Sequence, residues 1–471
     1  MLHISTRGEA PALPFSDALL AGLARDGGLY VPKSWPQIPQ AEIAAFAGKP
    51  YADVAGRVLS ELTAGDIEDK ALSQMIAEAY STFRHPAVCP LTQIGDNLFV
   101  LELFHGPTLA FKDVAMQLLG RLMDHVLTLR GERATIIGAT SGDTGGAAID
   151  AFKGLKNVDV FILYPHGRVS DVQRRQMTTV DADNVHAVAL EGTFDDCQNL
   201  LKAMFNHHAF RDEIGLSGVN SINWARIAAQ VVYYFTSAVS LGAPARKVSF
   251  AVPTGNFGDV LAGFVAKRMG LPVERLMIAT NSNDILARTL SSGAYEMRGV
   301  SATTSPSMDI QISSNFERLL FEVHDRDGAA VRRLMQSLAQ SGRFELGAEP
   351  LARIRSEFDA VAVDESATSA EIKRVMDEAG YLLDPHTAIG VNAARRGLEK
   401  DPATPMIVLG TAHPAKFPAA VAAASGVTPT LPAHLGDLME REERFTLLPN
   451  DQGAVEGFVR KHARAVRGAA A

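Results

Sequence analysis

The stretch ATIIGATSGDTGGAA, residues 134–148, joins a short apolar run to a glycine-rich segment and then to residues that favour a helix. Apolar runs of this length between turn signals are typical of strands buried on both faces of a parallel sheet. A second stretch has the same order, because KVSFAV (247–252) leads through PTGNFGD (253–259) into a helical pattern. Together they predict an α/β fold.

The same alternation extends over most of the chain. We predict further strands at 97–104, 158–164, 185–190, 276–280 and 407–409. We predict helices at 144–153, 170–178, 193–204, 224–241 and 258–269. Residues 1–90 read as mainly helical, and the Ser/Thr-rich segment 291–314 reads as loop.

These patterns suggest three regions. We expect a mainly helical N-terminal segment (1–90), a catalytic region of two α/β lobes (91–430) and a C-terminal extension (431–471). Within the catalytic region, residues 326–379 read as a charged helical insertion without clear strands. The AVRGAAA end (465–471) reads as a frayed tail.

Composition excludes several classes of protein. The chain is 47% hydrophobic and 21% charged, with a formal net charge of -8, which argues against a nucleic-acid-binding surface. Its two cysteines, Cys89 and Cys197, form neither a disulfide framework nor a zinc motif. The opening residues lack a secretory signal pattern, and polar residues interrupt the most apolar stretch, 227–243. We therefore expect a cytoplasmic protein without a metal site or a membrane segment.

Lys112 is unusual in its surroundings. In HGPTLAFKD (105–113) it ends an apolar run, and a helical pattern starts directly after it. The positive end of a helix dipole and apolar neighbours both favour the neutral amine, which is a nucleophile that can form a Schiff base. The alternative is a lysine whose stem packs on the core while its ammonium group reaches water.

Two glycine-rich loops lie where open α/β sheets carry their chemistry, at the carboxyl ends of strands. They are GATSGDTGG (138–146) and PTGNFGD (253–259), and each leads into a helix, whose free N–H groups can bind an anion. Neither matches a P-loop or a dinucleotide fingerprint. The alternative for each is a tight turn. GTAHP (410–414) places the Thr411 hydroxyl at a third strand end.

These segments, in this order, resemble the threonine synthase family of pyridoxal-phosphate (PLP) enzymes. The family belongs to the fold-type II group, which also includes tryptophan synthase β. The matching motifs are HGPTLAFKD (105–113), ATSGDTGGAA (139–148), SINWARI (221–227), PTGNFGD (253–259), SMDIQISSNFERLLF (307–321) and GTAHPAKFP (410–418). The resemblance spans nearly the whole chain. It implies an α/β protein with two lobes and parallel-rich sheets that binds pyridoxal 5'-phosphate.

The resemblance also implies roles for residues at matching positions. Lys112 corresponds to the lysine that forms the Schiff base, and Thr411 to the hydroxyl partner of the pyridine nitrogen. The residues that hold the cofactor phosphate correspond to Gly255, Asn256, Phe257, Gly258 and Asp259. Asp143 replaces an asparagine that donates to the cofactor in many relatives. An ionised aspartate cannot donate, so its role in cofactor binding stays open.

Substrate contacts follow from the same comparison. The residues that match a carboxylate-binding loop are Ser141, Gly142 and Thr144. A substrate phosphate needs a cationic clamp, for which Arg226, with Asn223 beside it, is the first candidate and Lys416 the second. His105 and His413 also lie near the predicted site, either as functional groups or as structural histidines.

The implied reaction converts O-phospho-L-homoserine and water to L-threonine and phosphate, the last step of threonine biosynthesis. Two alternatives remain open within the fold group. One is a related lyase, such as a serine/threonine dehydratase or a phospholyase, and the other is a non-catalytic PLP-binding paralogue. The resemblance favours a monomer.

Overall fold

The computed structural model describes residues 1–468, in which strands and helices alternate from β4 onwards. The strands are β1 (His3–Ser5), β2 (Tyr30–Pro32), β3 (Leu91–Gly95), β4 (Leu98–Glu102), β5 (Ala134–Ala139), β6 (Val158–Pro165), β7 (Val185–Leu190), β8 (Leu216–Ser217), β9 (Val248–Pro253), β10 (Val273–Thr280), β11 (Ala294–Glu296), β12 (Arg343–Glu345), β13 (Phe358–Ala362), β14 (Met406–Gly410) and β15 (Thr446–Leu448).

The helices begin in the N-terminal segment and cover the sheets of both lobes. They are α1 (Phe15–Ala21), α2 (Gln40–Ala44), α3 (Tyr51–Thr63), α4 (Asp69–Tyr80), α5 (Lys112–Arg130), α6 (Asp143–Phe152), α7 (Asp171–Thr178), α8 (Phe194–Asn206), α9 (His208–Glu213), α10 (Trp224–Ser240), α11 (Gly258–Arg268), α12 (Ile285–Ser292), α13 (Phe316–Val323), α14 (Gly328–Ser341), α15 (Ala348–Glu357), α16 (Glu365–Ala379), α17 (Pro385–Lys400), α18 (Pro418–Ser425), α19 (Gln452–His462) and α20 (Arg464–Gly468).

The larger sheet has six strands in the order β13-β10-β9-β14-β4-β3. Its strands are parallel, except that β3 runs antiparallel to β4. In β9, Phe250 and Val252 belong to one buried apolar cluster, while Ala251 belongs to another on the opposite face. Successive side chains of a strand point to opposite faces, so helices cover both sides of this sheet.

The smaller sheet has five parallel strands in the order β15-β7-β6-β5-β8. Ile136 of β5 packs into the main core, and Ile137 packs into a second cluster with Val455 and Val459 of α19. The C-terminal extension therefore adds an edge strand, β15, and a covering helix to this lobe. The α/β class with parallel-rich sheets in two lobes is confirmed.

Five short strands depart from the sequence-based expectations. The N-terminal segment contains the antiparallel pair β1 and β2, whose three-residue strands are too short to show a period. Residues 326–379 contain β12 and β13, so the prediction of a strand-free insertion is wrong. β13 pairs with β10 at the edge of the larger sheet, where its partly exposed residues give no continuous apolar run. The predicted loop 291–314 contains β11, which pairs with β12.

The long apolar helix α10 lies in the protein core, as expected. Over the described range, 1–468, we find no helix with the length and apolar character needed to cross a membrane. Nor does that range hold a group of His, Cys, Asp or Glu side chains placed to bind a metal ion. Of the predicted tail, residues 469–471 lie outside the described residues.

Candidate active site

Lys112 is the first residue of α5, and its side chain lines a cavity of about 390 Å³ at the carboxyl ends of strands from both sheets. Its Nζ atom lies 3.4 Å from Oδ2 of Asp143 and 3.2 Å from Oγ of Ser307. Burial lowers the pKa of Lys112, Asp143 opposes this effect, and the nearby Lys416 and Arg226 add to it. The predicted reactive lysine therefore sits in a site that favours its neutral form.

Asp143 is held by cations. Its Oδ1 atom lies 3.1 Å from Nζ of Lys416 and accepts a hydrogen bond from Gln173 at 2.8 Å. Burial alone would raise the pKa of this carboxyl group, but Lys416, Lys112 and Gln173 outweigh burial and hold the pKa well below its ordinary range. Asp143 is therefore ionised and acts as the counter-ion of two lysines, rather than as a hydrogen-bond donor.

Lys416 does not lie on the cavity wall. Its side chain is fully buried, and Nζ donates to the carbonyl of Thr108 at 2.6 Å and to Oε1 of Gln176 at 2.7 Å. With Asp143 as its ionic partner, this ammonium group is saturated. Lys416, the second candidate for a substrate phosphate clamp, thus has no free donor for a phosphate in this structure and instead fixes the position of Asp143.

The loop after β9 presents free backbone donors at the start of α11. Phe257 adopts a left-handed conformation, with φ 62°, where the chain turns into the helix. The carbonyls of Gly255 and Asn256 accept from Ser313 and Asn315. Nothing in residues 1–468 accepts a hydrogen bond from the amides of residues 255–257. A Cβ atom at Gly255 would lie 2.9 Å from the carbonyl of Ser307, so glycine is required there.

Asp259 contributes its backbone to this loop, but its carboxyl group turns away from the loop amides. Oδ1 accepts hydrogen bonds from the hydroxyls of Tyr233 and Tyr234 on α10. Burial raises the pKa of Asp259 to about 7, although the two tyrosines oppose this shift. The side chain thus ties α11 to α10, and its raised pKa lowers the mean negative charge beside the loop where an anion would bind.

Thr411 and His386 each offer an unsatisfied polar atom to the cavity. Oγ1 of Thr411 and Nε2 of His386 are buried, and neither has a hydrogen-bond partner in the described part of the chain. The other ring nitrogen of His386 lies 2.8 Å from Oδ1 of Asp384. Buried polar groups rarely stay unpaired, so both atoms point to a polar ligand. The sequence singled out Thr411 but not His386.

Arg226, in the first turn of α10, is a buried cation on the cavity wall. Nη1 donates to the carbonyl of Val219 at 3.3 Å and Nε has no partner, and no carboxylate among residues 1–468 forms an ion pair with it. Burial lowers the pKa of Arg226 to about 10. A buried, unpaired guanidinium group is costly, so its position calls for an anionic ligand.

Asn223 does not line the cavity, so the structure places it away from the candidate substrate site. Its side chain is fully buried and caps α10, because Oδ1 accepts from the amide of Ala225. Its Nδ2 donates to the carbonyl of Leu19 at 2.9 Å and to that of Gly218 at 3.3 Å. The side-chain oxygen and both N–H groups of Asn223 are therefore hydrogen-bonded within the fold.

The loop after β5 forms part of the cavity wall. Ser141 and Thr144 line it, at the start of α6. Oγ1 of Thr140 accepts from the amides of Gly142 and Gly145, which holds the turn in shape. Gly142 has φ 142°, and a Cβ atom there would lie 2.5 Å from the side chain of Gln173.

The cavity also contains residues that the sequence did not indicate. From α8 come Gln198 and Lys202, and Lys202 has no ion-pair partner in the part of the chain that the structure describes. Ser307 comes from the Ser/Thr-rich segment. His105 and His413 lie outside the cavity, on the wall of a separate one. Only packing brings the α8 side chains to the site, so no local motif could have revealed them.

These groups together fit PLP. The cavity combines an amine that favours its neutral form, free amides at a helix start for a phosphate, and orphaned polar atoms at Thr411 and His386 for a polar ring. The fold and the site thus define a PLP-dependent enzyme of fold type II. A family model for pyridoxal-phosphate-dependent enzymes matches residues 86–410.

More specific comparisons narrow this class. Models for the threonine synthase N terminus and C-terminal region match residues 2–80 and 387–459. A threonine synthase of Pseudomonas aeruginosa is 55% identical over 98% of each chain. The crystal structure of PLP-bound threonine synthase from Brucella melitensis is 66% identical, with a TM-score of 0.96, and covers 98% of this chain and 100% of that chain. The yeast enzyme is 42% identical, with a TM-score of 0.93 over 98% of each chain. The chain belongs to the threonine synthase family.

Proposed function

We propose that the protein converts O-phospho-L-homoserine and water to L-threonine and phosphate, with PLP as cofactor. The observation that carries this proposal is the pair of anion sites in one cavity. One consists of the amides at the start of α11, and the other is the guanidinium group of Arg226, which has no ionic partner in residues 1–468. A cofactor phosphate and a substrate phosphate would occupy two such sites.

The cofactor would be held by the loop 255–258, by Thr411 and by a covalent bond to Lys112. When bound, PLP withdraws electrons from the substrate and so acidifies protons on its carbon chain. A neutral threonine hydroxyl beside the ring supplies no negative charge to it. His386 would hold a further polar atom of the cofactor, because it lines the cavity and its buried Nε2 atom has no partner among the described residues.

Lys112 would move protons during the reaction. Burial lowers the pKa of Lys112 and so favours the neutral amine, which can accept a proton as a general base must. Asp143, at 3.4 Å, stabilises the ammonium form that results. Ser307 lies within hydrogen-bond distance of both groups and orients the amine.

The two ends of the substrate would bind different parts of the cavity wall. The start of α6, with Ser141, Gly142 and Thr144, offers hydroxyls and a helix N-terminus to the carboxylate. Arg226 would bind the phosphate, which leaves from Cγ before water adds at Cβ. Lys202 lies on the wall of the same cavity and would add a second positive charge.

The experiment measures both products from O-phospho-L-homoserine and the purified holoenzyme. We expect phosphate and L-threonine in equal amounts. A dehydratase would release ammonia and a 2-oxo acid from serine or threonine instead, and a non-catalytic paralogue would release neither product. Either result would contradict the proposal.

We further propose a cytoplasmic location, a monomer in solution and a domain boundary near residue 90. The cytoplasmic location rests on the biosynthetic role and on the two buried, unpaired cysteines, Cys89 and Cys197. The boundary is supported by the break between α4 and β3. Light scattering after size-exclusion chromatography tests the monomer.

A further inference from the structure

A second cavity, of about 580 Å³, shares no lining residue with the active-site cavity. Part of its wall comes from two segments next to active-site residues. Residues of 104–109 precede Lys112, and residues 413–414 follow Thr411. The C-terminal segment 427–434 closes it from the other side. Neither the proposed reaction nor any residue role derived above uses this cavity.

One wall of the second cavity can bind a carboxylate. Arg84 lies there, and its guanidinium group has no ion-pair partner among the described residues 1–468. His413 accepts from the amide of Ala415 through Nδ1, which leaves Nε2 as an N–H donor. Nε2 of His434 is buried and has no hydrogen-bond partner in the same range. Three residues with nitrogen groups that have no partner in the described range thus line one cavity, and burial together with the nearby Arg84 lowers the pKa of His434.

Another part of the wall carries a negative charge. Glu102 accepts hydrogen bonds from His105 at 2.6 Å and from Thr92 and Tyr381 at 2.8 Å. Burial would raise the pKa of Glu102, but these hydrogen bonds outweigh burial and lower it, so the group is ionised. The wall also has an apolar part, with Phe104, Leu109, Leu382, Pro414 and Val427, and two threonines, Thr428 and Thr430.

This wall is joined to the catalytic segments by backbone hydrogen bonds. The amide of His413 donates to the carbonyl of Leu109 at 3.0 Å, and the amide of Phe111 donates to the carbonyl of Thr411 at 2.8 Å. Leu109 adopts a left-handed conformation, with φ 63°, which a leucine rarely takes and which costs free energy. A ligand against Leu109 and His413 would stabilise the pairing that holds Lys112 beside Thr411.

We propose that the second cavity binds a small amino acid with an apolar side chain, as a zwitterion, and that binding tightens the Leu109–His413 pairing. Arg84 and His434 bind the carboxylate, Glu102 binds the ammonium group, and the apolar wall covers the side chain. The proposal is independent of the reaction proposed above, since it concerns a different cavity and a ligand that does not react.

The test is equilibrium binding of L-valine, L-leucine and L-phenylalanine to the holoenzyme. We expect saturable binding of at least one of them, weakened roughly tenfold or more by Arg84→Gln, the scale of one lost charge-assisted contact. Arg333→Gln, at an exposed arginine on α14, serves as the matched control and should not change the affinity for the amino acid. Arg226→Gln should leave this affinity unchanged too, because Arg226 lines the active-site cavity. Arg84 is exposed, so its replacement does not threaten folding.

Two further measurements decide the chemistry and the coupling. The amide of the bound amino acid, which lacks the carboxylate, and the corresponding deaminated acid should both bind at least roughly tenfold more weakly. Hydrogen exchange at the amides of Phe111 and His413 should slow on binding. The proposal is overturned if none of the three amino acids binds saturably, if Arg84→Gln leaves binding intact, if Arg226→Gln abolishes it, or if neither amide is protected.

Discussion

Asp143 lies between two lysines, with Oδ2 at 3.4 Å from Nζ of Lys112 and Oδ1 at 3.1 Å from Nζ of Lys416. All three side chains are buried. The arrangement gives one negative charge to two ammonium groups, of which Lys416 is fully hydrogen-bonded and Lys112 is not. One carboxylate cannot neutralise two ammonium groups. The charge is balanced when Lys112, the less completely bonded of the two, loses its proton. An aspartate at position 143 thus has an electrostatic role in this chain.

Replacing Asp143 by asparagine should destabilise the protein by about 3 kcal/mol or more, the scale of an uncompensated buried charge. The variant leaves the Lys416 ammonium group buried with only two neutral acceptors. Urea unfolding measures the change. Asp171→Asn, at an exposed carboxylate paired with Arg174, is the control and should cost less than about 1 kcal/mol. An equal loss in the free energy of unfolding in both variants would contradict a stabilising role for the buried ion pair.

The same carboxylate predicts how stability depends on pH. Because the folded-state pKa of Asp143 lies below its unfolded value, its contribution is complete above the ordinary carboxyl pKa of about 3.9 and is lost as pH falls further. The stability gap between the wild type and Asp143→Asn should therefore narrow as pH falls from about 5 to about 3. A gap that stays constant across this range would exclude the ionised state.

Lys112→Ala should abolish turnover and covalent capture of the cofactor. Borohydride reduction of the wild-type holoenzyme, followed by digestion and mass spectrometry, should place the reduced cofactor on Lys112. Lys202 is the internal control, because it is the other lysine on the wall of the same cavity in the described structure. Recovery of the reduced cofactor on Lys202 would contradict the assignment of Lys112 as the lysine that binds PLP.

Thr411→Val should weaken cofactor binding without destabilising the apoprotein. The hydroxyl is buried without a partner, so its loss removes no hydrogen bond within residues 1–468. We expect PLP to raise the melting temperature less than in the wild type, with a loss of about 1 kcal/mol in cofactor binding. Thr387→Val is the contrasting variant, since that hydroxyl donates to Asp384 and accepts from the amide of Thr411. It should lower the stability of the apoprotein itself.

Arg226→Gln should leave the cofactor content unchanged and lower kcat/KM for O-phospho-L-homoserine roughly 30-fold. This corresponds to a loss of about 2 kcal/mol in transition-state stabilisation. The matched variant is Asn223→Ala, three residues earlier. It should cost about 1 kcal/mol of stability as a lost helix cap and leave the KM of the folded enzyme unchanged. Loss of PLP from Arg226→Gln would instead place the cofactor phosphate at this arginine.

The sequence predicted the parts of this protein that depend on local patterns. The β5 and β9 strand–loop–helix units were predicted to within one or two residues, because apolar runs, glycines and helix starts all lie within short windows. Thr193, the first residue of the predicted helix 193–204, caps α8 and forms a capping box with Asp196. The motif resemblance added the roles proposed for Lys112 and Thr411.

What the sequence could not show depends on contacts between distant segments. Lys416 meets Asp143 only because the segments after β14 and β5 converge, so its role as a counter-ion has no local signal. Asn223 and Arg226 stand three positions apart in one motif, yet one caps a helix and the other faces the cavity. β13 and β15 lie at sheet edges, where partial exposure removes the apolar run that marks a central strand.

The position of β14 has a consequence for when the active site can form during synthesis of the chain. β14 lies between β9 and β4, although it follows them in the chain by about 150 and 300 residues. A nascent chain of 400 residues holds Lys112 and both glycine loops, but it lacks the strand that joins the two halves of the larger sheet, as well as Thr411. Such long-range pairing forms late and slowly. The reactive lysine therefore gains its complete surroundings only after β14 and Thr411 have been synthesised.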